Sequence, residues 1–173
     1  MNGGIMTPLR FAAAALLFVG TFTARADEGA RFRANLVGTE ETPAIFTAGS
    51  GEFRARVVDN DTRILFVLTF ENLTGAPAVA HVHFGQRNVA GGVSFFLCGG
   101  GGQPACPAAA SGRVEGTVTA ANVVGPIAQG IAAGNLAAIL EMIRAGFGYA
   151  NMHTARFPSG EIRGQIKVTG GED

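Results

Sequence analysis

The fold is decided by residues 52–70, Glu-Phe-Arg-Ala-Arg-Val-Val-Asp-Asn-Asp-Thr-Arg-Ile-Leu-Phe-Val-Leu-Thr-Phe. In the first half, charged side chains alternate with Phe53, Ala55 and Val57, as in a β-strand that buries one face. Asp59-Asn60-Asp61 is a cluster of turn-forming residues. The second half is apolar on both faces, which is typical of a more central strand. The stretch therefore predicts an antiparallel hairpin.

Outward from this hairpin, further segments show strand patterns separated by Gly, Pro and Asn/Asp turns. They are residues 31–37, 78–84, 91–97, 112–119, 147–153 and 162–168. Residues 39–51 contain Pro43 and two glycines and are expected to form a loop. The last two strand segments are joined by Pro158-Ser159-Gly160, so we expect them to pair as a second hairpin.

Residues 135–146 depart from the β pattern. Leu136, Ile139, Leu140 and Ile143 follow the i, i+3, i+4, i+7 spacing of a helix with one apolar face. Asn135 is suited to the N-cap, and Gly146 to the C-terminal end. One short helix among many short strands predicts an all-β fold, an antiparallel β-sandwich or Greek-key barrel of about seven or eight strands.

The N-terminal 26 residues resemble a secretory signal peptide. Arg10 precedes the apolar run 11–19, and Ala24-Arg25-Ala26 is a small-x-small cleavage pattern. The alternative is a retained anchor, although nine apolar residues fall short of the roughly 20 needed to span a bilayer. We expect residues 1–26 to be removed and residues 27–173 to form a single domain in the periplasm or the extracellular space.

The charge of that domain excludes some partners. Residues 1–26 hold two of the chain's 13 basic side chains and no acidic one, which leaves 11 basic against 13 acidic and a net charge of about −2. Nucleic acids and anionic membranes are recognised by basic patches, and the composition suggests none. The sequence predicts neither as a partner.

Cys98 and Cys106 are the only cysteines, and they flank the loop Gly99-Gly100-Gly101-Gly102-Gln103-Pro104-Ala105. In an exported protein, two cysteines beside a flexible loop are expected to form a disulfide. The alternative is a pair of thiolate ligands for copper(I) or zinc, which requires reduced thiols.

Two of the chain's three histidines lie in Ala80-His81-Val82-His83. Residues two apart in a strand point to the same face, so one ion could contact both imidazoles. His153 lies in another predicted strand and could join them, which predicts a site for copper or zinc formed by His81, His83 and His153. The alternative is that the histidines are solvated surface residues or members of a hydrogen-bond network.

Three polar residues lie near His153, on its own predicted strand and on the next one. Asn151 lies on the same strand, and Glu161 and Arg163 share one face of the next strand. These three residues could lie behind the histidines and orient their rings. The alternative is an exposed cross-strand ion pair, which contributes little to stability.

Motifs of common enzymes are not found. The sequence holds no G-x-S-x-G, no P-loop and no H-E-x-x-H. No glutamate closely follows His83 as in cupins, and copper/zinc superoxide dismutases need more ligands than three histidines. We therefore expect a protein that is not an enzyme, with no catalytic residues.

Four motifs in order resemble the CHRD domain, first described as a repeat in chordin. They are Phe32-x-Ala34-x-Leu36-x-Gly38, Ala80-His81-Val82-His83-x-Gly85, Tyr149-x-Asn151-x-His153-Thr154 and Pro158-x-Gly160-Glu161-Ile162-Arg163-Gly164-Gln165-Ile166. The resemblance covers about residues 31–168 and implies an extracellular β-rich module. Chordin is a secreted antagonist that binds bone morphogenetic proteins; this chain lacks its cysteine-rich modules, so that role is not carried over.

Two functions are consistent with these patterns. The first is an exported CHRD-like binding module that coordinates copper or zinc through the three histidines. The second is an interaction module of the cell envelope or extracellular space, which binds a protein or a glycan and whose histidines are structural.

Overall fold

Nine β-strands, one α-helix and three single-turn 3-10 helices make up the regular structure of the described residues, Met1 and 29–171, in a computed structural model. The strands are β1 Arg31–Val37, β2 Ser50–Val58, β3 Arg63–Glu71, β4 Pro77–Phe84, β5 Gly92–Cys98, β6 Gly112–Val118, β7 Gly148–Thr154, β8 Ile162–Gln165 and β9 Lys167–Gly170. The helix α1 is Leu136–Arg144.

The strands form one antiparallel sheet that curls into a nearly closed barrel. Its order is β5-β4-β7-β8-β1-β2-β3-β6, and β9 continues β8 past Ile166 to pair with β1. The end strands β5 and β6 lie against each other, but within residues 29–171 no hydrogen-bonded ladder joins them. The all-β prediction with one short helix is confirmed, and the architecture is a barrel rather than two separate sheets.

The predicted hairpin is β2 paired with β3, in continuous register from Ser50↔Glu71 to Val58↔Arg63. Its alternation points Phe53 and Phe66 into the barrel, where their rings stack with centroids 6.4 Å apart. Strands β7 and β8 form the second predicted hairpin, with Asn151 opposite Arg163. Burying a side chain as large as Phe53 or Phe66 contributes about 1.5–3 kcal/mol to the free energy of unfolding.

Helix α1 packs against β7 and β9. Its four predicted apolar positions are all buried. The Asn135 side chain accepts a hydrogen bond from the Ala138 N–H at 3.1 Å, so the predicted N-cap is confirmed. The helix ends at Arg144, and Gly146 follows with φ of +81°, a left-handed conformation that favours glycine.

The two cysteines form the predicted disulfide, with the sulfur atoms 1.98 Å apart. Cys98 ends β5, and its partner Cys106 lies beyond the glycine loop. The bond closes this loop and fixes the end of an edge strand of the sheet.

The predicted signal segment, residues 1–26, lies outside the described residues apart from Met1. In the part of the chain that the structure describes, α1 is the only α-helix, and no helix has the length and hydropathy to cross a membrane.

Gly164 lies where the backbone of β8 passes close to that of β1. A Cβ atom at this position would lie 2.1 Å from the carbonyl oxygen of Asn35, a backbone atom that cannot rotate away. We expect Gly164→Ala to separate β8 from β1 and to lower the free energy of unfolding by about 1–3 kcal/mol. Urea unfolding measures this change. A Cβ at Gly75 would meet no atom within 4 Å, so Gly75→Ala is the matched control. Equal stability of the two variants would contradict the close approach.

Candidate metal centre

The three histidines converge on the outer face of β4 and β7. Ala80 and Val82 point into the barrel and are fully buried, so His81 and His83 point away from it. Strand β7 pairs with β4 with His153 opposite Val79, which places its ring beside the other two. Gly91 and Pro158, from the loops after β4 and β7, and Phe96 of β5 lie against the rings, and each histidine is only 8% exposed. They are therefore not solvated surface residues.

The three rings are close enough to share one ion. One ring nitrogen from each histidine lies within 4.8 Å of the others. The ring centroid of His81 is 5.1 Å from that of His83 and 4.7 Å from that of His153. Metal–imidazole bonds are about 2.0–2.1 Å long, so an ion among these nitrogens requires only small ring movements.

Backbone carbonyls fix which nitrogen of two rings carries the proton. His83 Nδ1 lies 2.9 Å from the Gly91 carbonyl oxygen, and His153 Nδ1 lies 3.0 Å from that of Pro158. A carbonyl oxygen can only accept, so both Nδ1 atoms are donors. In the neutral rings, both Nε2 atoms then hold a lone pair. This arrangement is typical of metal-binding histidines, whose second nitrogen donates to a carbonyl or carboxylate.

Only one of these two Nε2 lone pairs has a hydrogen-bond donor nearby. His81 Nδ1 lies 3.2 Å from His83 Nε2 and can donate to it. The Nε2 atom of His153 is buried and has no hydrogen-bond partner among the described residues. A buried polar atom without a partner costs about 1–3 kcal/mol, and a metal ion is one group that would satisfy it. The donor set therefore fits a metal ion.

Burial keeps the three rings neutral. Burial, together with the smaller effects of the neighbouring His153 and His83, lowers the pKa of His81 to about 3. Burial likewise lowers the pKa of His83 to about 4, partly opposed by the Gly91 carbonyl, and lowers that of His153. Neutral imidazole is the form that binds metals, so no proton has to be displaced at neutral pH.

Tyr149 and Arg163 support His83 from one side. The Tyr149 ring stacks on His83 with an interplanar angle of 1° and centroids 4.7 Å apart. The Arg163 guanidinium lies 3.5 Å from the centroid of Tyr149 in a cation–π contact. The Tyr149 hydroxyl accepts from the Gly91 N–H at 3.0 Å, which holds the carbonyl group that orients His83.

Two buried carboxyl groups lie near this centre in different states. Glu161 accepts hydrogen bonds from Thr47, Thr74 and Thr154; burial alone would raise its pKa, but these bonds outweigh it and lower the pKa. Glu41 accepts from Asn151 Nδ2 at 2.6 Å. Burial raises the pKa of Glu41 to about 7, although Asn151 and Arg163 oppose the shift.

The three residues expected behind the histidines lie close by but bind other groups. Asn151 donates to Glu41 and to the Ile162 carbonyl, and Arg163 donates to Thr42 and to the carbonyls of Gln86 and Val89. Within residues 29–171, their hydrogen bonds do not reach an imidazole nitrogen. Arg163 contacts the Tyr149 ring that stacks on His83, and its charge also lowers the pKa of His83. The prediction that these residues orient the histidines stays a prediction.

Sequence reasoning missed several groups at this centre. Tyr149 shares a strand face with Asn151 and His153, so the period-two alternation could have indicated it. The carbonyls of Gly91 and Pro158 have no signal in the sequence, because any residue type carries a carbonyl. Glu41 comes from the loop between β1 and β2, and its position depends on the folded loop.

Comparison with known families gives a match that covers most of the chain. The sequence model of the CHRD domain matches residues 32–166, most of the chain. The chain belongs to the CHRD domain family. Comparison with curated proteins and with solved structures returns no significant match. All three histidines lie inside the matched CHRD segment.

We expect the rings of His81 and His83 to stay neutral in the metal-free protein at pH 5, because their pKa values are about 4 or lower. NMR titration of the ring resonances measures this, and urea-unfolded protein, titrating near pH 6.5, is the control. Since the unfolded chain binds protons below about pH 6.5 and the folded chain does not, the free energy of unfolding should fall as the pH falls from 6.5. If the rings of His81 and His83 titrated near pH 6.5 in the folded protein, that result would contradict their burial.

We expect Glu41→Gln to stabilise the protein above neutral pH. Between pH 4.5, the ordinary pKa of a glutamate, and about pH 7, the folded carboxyl keeps a proton that the unfolded chain releases, so stability falls as the pH rises. The amide does not ionise and still accepts from Asn151. Thermal unfolding should show equal stability at about pH 4 and a higher Tm for the variant at about pH 8. The exposed Glu71→Gln is the control, and a gain common to both variants would contradict the prediction.

Proposed function

We propose that this CHRD-family protein is an exported binding module that holds one copper or zinc ion through His81, His83 and His153. The observation that carries the proposal is the buried His153 Nε2, which has no hydrogen-bond partner among the described residues. The Pro158 carbonyl holds the ring through Nδ1, and one ring nitrogen of His153 lies within 4.8 Å of a nitrogen of each of the other two histidines. A purely structural histidine would be expected to have both nitrogens satisfied.

The choice between copper and zinc rests on the ligands. Three neutral imidazoles suit either metal, and neither thiolate nor carboxylate takes part in the histidine cluster. Such a set leaves coordination positions open for water or for a group from a partner. Affinity for copper(II) exceeds that for zinc at a given nitrogen site, so copper is the first metal to test.

The proposed location is outside the cytoplasm. The disulfide between Cys98 and Cys106 is consistent with an oxidising compartment, and the predicted signal segment points the same way. We propose a role in binding rather than in catalysis. The metal, or a protein or glycan held beside it, is the partner that this role requires.

The second function from the sequence, an interaction module with structural histidines, makes a different prediction. In that case the role of His81 and His83 would be the hydrogen bond between them, and added metal would not change the stability of the protein. The covered position of the rings, each 8% exposed, agrees with either function. Metal binding therefore distinguishes them.

The fluorescence of Tyr149 provides a direct measure of metal binding, because the chain has one tyrosine and no tryptophan. Its ring stacks on His83, so copper(II) at the site should quench the tyrosine fluorescence at one equivalent, whereas diamagnetic zinc should not. At 100 times Kd, a metal adds about 2.7 kcal/mol, which raises Tm by roughly 5–10 °C for a domain of this size. Elemental analysis of residues 27–173 gives the stoichiometry.

The variants are chosen to separate metal binding from folding. His153→Gln removes one ligand, and His81→Ala with His83→Ala removes two; each must be shown folded by circular dichroism. We expect quenching and the Tm shift to disappear in both. Arg156→Gln, exposed and close in sequence to His153, is the control and should keep both effects. No metal bound to the parent, or equal binding by the folded histidine variants, would overturn the proposal.

A further inference from the structure

Phe96 of β5 covers the histidine centre on the side away from Arg163. β5 is the end strand of the sheet next to β4, and Phe96 lies opposite His81 in the register of the two strands. The two rings meet edge to face, with centroids 4.8 Å apart and an interplanar angle of 80°. Phe96 is half-buried. It therefore stands between His81 and the solvent at this edge of the sheet.

Packing alone holds the Phe96 ring, whereas hydrogen bonds hold the groups on the other side of the centre. The Tyr149 hydroxyl accepts from the Gly91 N–H, and the Tyr149 ring contacts the Arg163 guanidinium. A phenylalanine ring has no hydrogen-bonding group, so its position depends on the atoms packed against it. On the side of the β5–β6 connection, these atoms belong to the glycine loop, residues 99–105.

Two glycines of this loop lie directly against the Phe96 ring. A Cβ atom at Gly100 would lie 2.7 Å from Phe96 Cε1, and one at Gly101 would lie 2.5 Å from Phe96 Cδ2. A Cβ atom at Gly102 would have only Asn122 Nδ2 within 4 Å, at 3.3 Å. The close approach of the ring thus requires glycine at 100 and 101, and the loop keeps Phe96 against His81.

The disulfide between Cys98 and Cys106 keeps the glycine loop in one conformation. Residues 99–102 are four consecutive glycines, and glycine loses more conformational freedom on folding than any other residue. Among the described residues, two hydrogen bonds join the loop to the rest of the barrel, from Gln103 Nε2 to the Thr117 carbonyl and from Asn122 Nδ2 to the Gly101 carbonyl. Opening the disulfide removes the covalent closure and gives the loop conformations that leave the Phe96 ring.

We propose that Phe96 is a gate on the histidine centre and that reduction of the disulfide opens it, so that the metal enters and leaves faster. The inference rests on the proposed function, because it concerns the metal held there. Cys106 is half-buried and follows the exposed Pro104 and Ala105, so a dithiol can reach it. One thiolate of the dithiol attacks Cys106 Sγ and Cys98 leaves; the second thiolate then displaces Cys106. The products are two cysteine thiols and the oxidised dithiol.

Access to His81 is measured without metal, from the rate at which diethyl pyrocarbonate acylates its ring, with mass spectrometry to identify the residue. The parent is compared before and after reduction with dithiothreitol, which is then removed. We expect a rate about tenfold or more higher in the reduced parent and in Cys98→Ser with Cys106→Ser. Lys167, which is exposed on β9, reports the reagent concentration and should react equally in all samples.

Two further comparisons test whether the disulfide acts through Phe96. In Phe96→Ala the reaction of His81 should already be fast, and reduction should add little. Gly101→Ala forces the loop and the ring apart and should raise the rate with the disulfide intact. Gly102→Ala is the matched control, because both glycines have a left-handed φ, +57° and +78°, but only Gly101 reaches the ring. Each variant is first shown folded by circular dichroism.

Copper(II) tests whether this access controls the metal. Its release to excess EDTA, followed by the recovery of Tyr149 fluorescence, should be about tenfold or more faster in the double serine variant. A gate changes uptake and release by the same factor, so Kd should stay within about threefold of the parent value. The serine variant has no thiol, so thiolate ligands cannot cause the change.

Equal reactivity of His81 in the oxidised and the reduced parent overturns the proposal. An equal rise in Gly101→Ala and Gly102→Ala also overturns it, because the loop would then be loosened without a part for Phe96. A changed Kd with unchanged rates overturns the gate as well, since Phe96 would then only position His81. If reduction exposes His81 but the parent binds no copper, the proposed function fails and the gate stands.

Discussion

The pairing register of β4 with β7 is the constraint on which the histidine centre depends. These strands are far apart in the chain, and His81 faces Asn151 across the ladder only in this register. Side chains alternate between the two faces of a strand, so a slip of one residue would turn the histidines into the barrel and the buried Ala80 and Val82 outwards. The apolar core and the polar centre are therefore two results of the same register, and neither can change without the other.

Much of the fold follows from local sequence patterns. Strand β1 has the predicted bounds, and the hairpin of β2 and β3 and the N-cap at Asn135 are present. These features depend on neighbours in the chain, and so does the shared face of His81 and His83. That His153 lies beside His81 and His83 could only be a hypothesis, because its pairing partner Val79 lies about 70 residues away in the chain.

The remaining features depend on contacts between distant segments, which periodicity does not describe. Glu41 reaches Asn151 across 110 residues of chain, and nothing near it in sequence indicates burial. The outer face of β1 and β2 is a similar case: each strand pattern places its arginines on that face, but only the register of the two strands sets Arg31 opposite Arg56 and Arg33 opposite Arg54.

The orientation of the histidine rings depends on main-chain atoms. The carbonyls of Gly91 and Pro158 hold His83 and His153, and a substitution in either loop keeps a carbonyl at that position. Loop length and backbone path are thus under stronger constraint than residue identity; Gly91 is an exception, since a Cβ there would lie 1.8 Å from the Phe84 carbonyl oxygen. Relatives with unrelated loop sequences could keep the same ring geometry, while a single insertion after β4 would abolish it with every histidine still in place.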